Sequence, residues 1–266
     1  NMNHIQVETD TDDPFKPSWV TIMLTPLLVV APAVALFVWV FYSLPIEIRG
    51  LPSTAPDWNS EAESWKTWNW HPALMILFLT FGSFAIFAYK MLPMGHFLQK
   101  IVHSFLHTLA VACSVAGFAV EYWWKNKTGN YHFWTMHSWL GIAVLALYWV
   151  QYAVGLFSFL LPGPMLLAKR IRARIVLGHR HAGLILLVLV GGTILSGIAG
   201  REWYLFVGQR KEWPILNDVR KAAFTTPNAL GLFTAALIAW FLFVFRHIKP
   251  AQDDHHYSPI ADVEYR

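Results

Sequence analysis

Four histidines, His71, His103, His137 and His179, each stand near the first turn of a long apolar run. An ionisable ring at the mouth of such a run is costly to bury and marks a functional position. A neutral imidazole is also a good ligand for iron, zinc or copper. Their order along the chain turns the four into a geometry. His71 and His137 open the second and fourth runs, which point the same way, while His103 and His179 open the third and fifth, which point the other way. Two facing pairs follow, one near each membrane surface. Imidazoles on neighbouring helices at equal depth fit the axial positions of a haem. The rival reading of the same pairs is a transporter that uses them as stations for metal ions or protons.

The glycines sharpen the case for a large planar cofactor. His137 is followed by Gly141 and Gly155, and His179 by Gly183 and Gly197, at matching offsets. Those offsets are about one and about five helical turns, so each glycine shares its histidine's helix face. The nearer glycine is expected to clear the edge of a macrocycle, and the farther one to make room for the other pair's cofactor. His107 lies one turn beyond His103 and is expected to border a cofactor or to hydrogen-bond to backbone. His181 competes with His179 as a ligand, and the repeated glycine spacing favours His179. His4, His132, His247, His255 and His256 read as solvated or interfacial.

The elements that must position these rings are membrane helices. Of 266 residues, 56% are hydrophobic and 14% charged, a balance unsuited to a soluble protein. A helix needs about 20 apolar residues to cross a bilayer, and six segments qualify: Trp19 to Tyr42, His71 to Tyr89, Ile101 to Val120, Trp134 to Leu161, Leu177 to Ala199 and Ala222 to Phe245. The expected fold is an all-α membrane protein of six transmembrane helices, with helices two to five as a central four-helix bundle. Short connections make residues 1–266 a single domain with polar tails, about 1–18 and 248–266.

The first segment is too long for a secretory signal and no basic stretch precedes it, so it reads as a retained helix. Cys113 is the only cysteine, which excludes an intrachain disulfide, and it reads as a small buried hydrophobe. Ser43 to Trp70 reads as a loop whose tryptophans belong to an interfacial belt. Glu121 to Thr135 reads as a polar loop carrying the sequon Asn126-Lys127-Thr128. Lys169, Arg170, Arg172, Arg174 and Arg180 form the most basic stretch, and basic short loops favour the cytosolic side. That orientation places both termini in the cytosol, His103 and His179 toward it, and His71 and His137 on the outer side. In the second tail, Tyr257-Ser258-Pro259-Ile260 has the pattern of an endosomal sorting signal.

At these residues the chain closely resembles the eukaryotic cytochrome b561 family of six-helix, ascorbate-dependent transmembrane oxidoreductases. The resemblance rests on Asn69-Trp70-His71-Pro72-Ala73-Leu74-Met75, Lys100-Ile101-Val102-His103, Met136-His137-Ser138-Trp139-Leu140-Gly141, His179 with Gly183, and Asn228-Ala229-Leu230-Gly231. It implies two b-type haems, an inner one held by His103 and His179 and an outer one by His71 and His137. It implies ascorbate as cytosolic donor, held by Lys100 and Arg172, with His96 where a second lysine is usual. Lys125 stands at the outer substrate position, in place of a histidine the family often carries. The acceptor implied is ferric iron or monodehydroascorbate. The implied surroundings are a lipid bilayer of the plasma membrane or of an endosomal, lysosomal or vesicle membrane, with a homodimer as candidate assembly and no nucleic-acid partner.

Overall fold

Among the described residues, six helical segments are long and apolar enough to cross a membrane, and in hydrocarbon a helix satisfies its own backbone polar groups. The computed structural model describes residues 18–44, 50–52, 60–92, 94–160, 167–207 and 217–246. The elements are α1 (Trp19–Val38), continued by a π-helical turn (Trp39–Ser43), α2 (Glu61–Trp68), α3 (Trp70–Met91), α4 (His96–Thr128), α5 (Met136–Phe159), α6 (Lys169–Val207) and α7 (Asn217–Arg246). Among the described residues there is no strand. The expected six-helix architecture is present, and the chain is a multi-pass membrane protein. Both tails, from 1 to 17 and from 247 onward, lie outside the described residues, and the Tyr257 motif with them.

Local chemistry sets the boundaries. Ser18 caps α1 by accepting from the Thr21 N–H at 3.2 Å, and Thr135 caps α5 by accepting from the Ser138 N–H at 3.2 Å. α4 stops at Gly129, whose φ of 68° is the left-handed conformation that glycine adopts without strain.

Three boundaries differ from the sequence reading. α4 runs on to Thr128, because Glu121 and Lys125 pair one turn apart and Trp124 anchors to α2, so half of the expected polar loop is helix. α6 begins at Lys169, so the basic stretch is helical. α2 was expected to be loop. Its signal is Ser60 followed by Glu63, where the Ser60 hydroxyl accepts from the Glu63 N–H at 3.5 Å.

α3 packs along α4 and α5 along α6, giving two helical hairpins, with α1 and α7 packed on each other and against α3 and α6. The hairpins face each other across a slot spanned by long side chains. Tyr148 of α5 reaches His107 of α4 at 2.6 Å, Tyr152 reaches Thr108 at 2.8 Å, and Trp149 donates to Ser114 at 2.9 Å. Mid-bundle is an apolar plug that includes Phe78, Leu79, Val144, Leu145, Leu187 and Val190. One end of the bundle is rich in tryptophan, where α3 and α5 begin; the other is basic, where α4 and α6 begin.

Asn69 joins α2 to α3 and fixes how the tryptophan-rich end closes. It is 1% exposed, and its side-chain amide donates to the Gly50 carbonyl at 2.8 Å. Asn69→Ala would remove this hydrogen bond from a half-buried carbonyl, so a loss of about 0.5–1.5 kcal/mol is expected. Denaturant titration in detergent micelles checks this, and an unchanged midpoint would refute it.

Candidate functional site

The four histidines meet in two pairs at opposite ends of the slot. At the tryptophan-rich end His71 of α3 faces His137 of α5, with ring centres 6.3 Å apart and planes at 90°. At the basic end His103 of α4 faces His179 of α6, at 6.5 Å and 67°. Each pair reaches diagonally from one hairpin to the other.

Backbone carbonyls orient three of the rings. Nδ1 of His71 donates to Gly117 O, that of His103 to Ala85 O and that of His137 to Thr193 O, each at 3.0 Å. A carbonyl can only accept, so these Nδ1 atoms carry the proton and Nε2 presents its lone pair. A hydrogen-bonded Nδ1 and a bare Nε2 make the arrangement that metal-bound imidazoles favour. In His179 the buried Nδ1 has no hydrogen-bond partner, and its backbone carbonyl accepts from the Gln151 amide at 2.6 Å.

The residues fit a haem on geometry as well as donor type. Metal–imidazole bonds of about 2 Å, with about 1 Å more on each side to the ring centre, place two ligand rings about 6 Å apart. Both observed separations match that span. A cavity of about 870 Å³ opens beside His71 and His137, lined also by Trp68, Gly141, Thr193 and Arg201. Its size is that of a cofactor pocket, about 300–1,000 Å³.

The glycines act differently from the expectation. A Cβ at Gly197 would stand 2.7 Å from His137 Cε1, and one at Gly155 would stand 2.8 Å from His179 Cε1. The farther glycine therefore seats the histidine ring of the opposite pair, whereas it was expected to make room for that pair's cofactor. The nearer glycines are less crowded, since a Cβ at Gly141 or Gly183 would make ordinary contacts at 3.8 and 3.7 Å. Gly141 does line the cavity beside His137.

His107 bonds to the Tyr148 hydroxyl, a side chain in place of the expected backbone group, and its ring lies 4.4 Å from that of His103, one of the paired imidazoles. His181 is exposed and its Nδ1 donates to Leu177 O at 2.8 Å on its own helix. The ring that faces His103 is that of His179. His181→Gln is accordingly expected to leave bound haem unchanged, as measured by the haem-to-chain ratio; a fall of half would transfer the ligand role to His181.

Lys100 and Arg172 stand at the basic end, partly exposed, one and about two turns before His103 and His179 on their helices. The buried Nε of Arg172 has no hydrogen-bond partner. His96 is the first residue of α4, and its side chain lies outside those described. Lys125 is only 9% exposed and is paired with Glu121 at 3.3 Å, so its charge is partly answered within the protein. It lines the cavity all the same. The sequon falls in the last turn of α4, and the side-chain Oδ1 of Asn126 accepts from His132 Nε2 at 2.9 Å.

Trp68 and Arg201 also line this end, and their contacts there were not read from the sequence. Trp68 donates to Glu121 at 2.7 Å and lies 6.0 Å from the His71 ring. Arg201 is 5% exposed, with its guanidinium 4.2 Å over Trp65 and 4.4 Å over Trp68. Glu121 and Lys125 had an available signal in their four-residue spacing on a helix. The stack of Arg201 on tryptophans more than 130 positions earlier had none.

Similarity to known proteins decides the family. A model described as eukaryotic cytochrome b561 matches residues 70–205, a stretch that contains all four paired histidines. The chain belongs to the eukaryotic cytochrome b561 family. A probable ascorbate-specific transmembrane electron transporter of Oryza sativa is 32% identical over 67% of this chain and 71% of its own length. A plasma membrane ascorbate-dependent reductase of Rattus norvegicus is 31% identical over 65% of this chain and 60% of its own. A lysosomal membrane ascorbate-dependent ferrireductase of Danio rerio is 29% identical over 74% and 81%. Membership in the b561 family implies haem b binding, and the facing imidazoles have the donor type and spacing that haem iron takes.

Proposed function

We propose that this chain moves single electrons from cytosolic ascorbate across the membrane to ferric iron or monodehydroascorbate, using two b-type haems. Family membership makes it an ascorbate-dependent transmembrane oxidoreductase. The observation that carries the two-haem reading is the pair of facing imidazole couples, 6.3 and 6.5 Å between ring centres, at opposite ends of one bundle. His71 and His137 hold one haem at the outer, tryptophan-rich end, and His103 and His179 hold the other at the basic, cytosolic end. Bound there, haem supplies an iron that gains and loses one electron at a time.

The chain's own residues do the rest. Each imidazole couple would supply the nitrogen donors for one haem iron, a donor set that favours electron transfer over oxygen binding. The apolar plug between the pairs keeps water from the interior. At the basic end Lys100, Arg172 and His96 attract ascorbate, an anion at neutral pH, and hold its charge. The N-termini of α4 and α6 at the same end add to the favourable field. At the outer end Lys125 offers the acceptor a cation tempered by Glu121.

In this arrangement residues 1–266 act as a single domain with both termini cytosolic, in the plasma membrane or an endosomal, lysosomal or vesicle membrane, and a homodimer is the candidate assembly. The lipid bilayer is its solvent. A transporter using histidine stations is not favoured, because the relatives carry names of ascorbate-linked electron transfer.

The visible spectrum of the purified protein tests the proposal. Two haems per chain, with sharp bands that intensify on adding ascorbate, are expected; colourless protein, or a single haem, would overturn it. Arg172→Ala should slow reduction by ascorbate several-fold with haem content intact, as followed by stopped-flow absorbance at those bands. An unchanged rate would remove Arg172 from the donor site.

A further inference from the structure

We propose that Tyr148, acting through His107, is a positioning residue that sets the orientation of His103 against His179. The inference rests on the reading of His103 and His179 as axial ligands. His103 is held by a single hydrogen bond, from Nδ1 to Ala85 O at 3.0 Å. One bond fixes the position of that nitrogen but leaves the ring free to tilt. Packing limits the tilt, with the ring of Tyr89 at 5.1 Å and that of His107 edge-on at 4.4 Å and 82°.

His107 is itself fixed from across the slot. Its Nδ1 is 2.6 Å from the Tyr148 hydroxyl, the shortest of the hydrogen bonds that the four paired histidines and His107 make through Nδ1. Tyr148 is in turn wedged against Phe78 of α3, with ring centres at 4.7 Å and planes at 81°. A Cβ on Gly82 of α3 would stand 3.2 Å from the Tyr148 hydroxyl, so this glycine leaves the space in which the hydroxyl sits. Three helices thus converge on one contact: α3 provides the wedge, α5 the hydroxyl and α4 both imidazoles.

At the other end the His137 ring is held without an intermediary. There His137 takes two partners directly, Thr193 O at 3.0 Å and Ser196 Oγ at 3.2 Å, and lies against Gly197. Loosening Tyr148 should therefore change one iron site and spare the other. The planes of the His103 and His179 rings stand at 67°, and the angle between two such rings would govern the low-spin EPR signal of an iron held by both, so that signal would report the positioning directly.

The test uses the full chain with its haem, comparing Tyr148→Phe and Gly82→Ala with the unsubstituted protein. Tyr148→Phe keeps the ring on Phe78 and removes only the hydroxyl; Gly82→Ala crowds the hydroxyl without touching either histidine. Low-temperature EPR of the oxidised protein is read beside the haem-to-chain ratio, and His179→Gln identifies the signal of the basic end. The expected result is a shift of that signal in both variants, smaller for Gly82→Ala, with the other signal superimposable on that of the unsubstituted protein. Loss of the basic-end signal alone in Tyr148→Phe, with a shift in Gly82→Ala, also supports the relay. Two unchanged signals in both variants, or equal changes in both signals, would overturn it. Failure of the underlying reading is distinguishable, because the unsubstituted protein would then lack two low-spin signals.

Discussion

Replacing His137 or His179 with glutamine is expected to halve the haem bound per chain and to stop electron transfer across the membrane. Each of these rings faces a partner at the separation that one shared metal ion requires, 6.3 Å at one end and 6.5 Å at the other. Removing one leaves the remaining imidazole as a single axial ligand. The two losses should be independent, since the pairs sit at opposite ends with an apolar plug between them. His137→Gln should spare the basic-end haem and its reduction by ascorbate, while His179→Gln should spare the outer haem and leave it without a donor. Haem-to-chain ratios and ascorbate difference spectra of the two variants check this. Equal loss of both haems in either variant would mean that the sites are not separate.

Gly197→Ala should remove the outer haem almost as well as loss of a ligand, although a single methyl group is added at a residue that binds nothing. The new Cβ would lie 2.7 Å from His137 Cε1, closer than such atoms approach, and 3.1 Å from Nδ1, tighter than most such contacts. The ring cannot yield without breaking its bond to Thr193 O. Disturbing the groups that orient a metal ligand costs about 10–100-fold in affinity, and a loss of that order is expected in a haem titration of the outer site. Gly155→Ala should do the same at the basic end, where the Cβ would stand 2.8 Å from His179 Cε1. The two substitutions therefore exchange roles: the glycine of α6 governs the ring of α5, and the glycine of α5 governs the ring of α6. If Gly197→Ala instead weakened the basic-end site, the crossed seating would be wrong.

These glycines also show how far the sequence could be read. Their spacing from His137 and His179 was visible, as was the helix face they share, because a helix repeats every 3.6 residues. What each glycine meets on the neighbouring helix depends on how α5 and α6 lie against each other. No period within one helix encodes that. The histidine pairs were legible for the opposite reason: depth follows from counting spans, and equal depth on parallel runs needs no knowledge of packing angle.

The ends of helices were less legible than their middles. Hydropathy measures the part in lipid, so α4 was cut at Val120 although Glu121, Trp124 and Lys125 carry it on to Thr128. α2 is short and polar on average, and only the Ser60 to Glu63 cap announced it. Arg201 over Trp65 and Trp68 is a contact of the folded bundle alone.

The most direct test of the account is transfer across a sealed membrane. The protein would be reconstituted in vesicles loaded with ascorbate, with an impermeant ferric chelate outside, and external ferrous iron followed over time. Reduction is expected to require both the trapped ascorbate and the protein, and His137→Gln and His179→Gln should each abolish it. Haem that turns reduced while the external iron stays ferric, or transfer that survives in either variant, would contradict it.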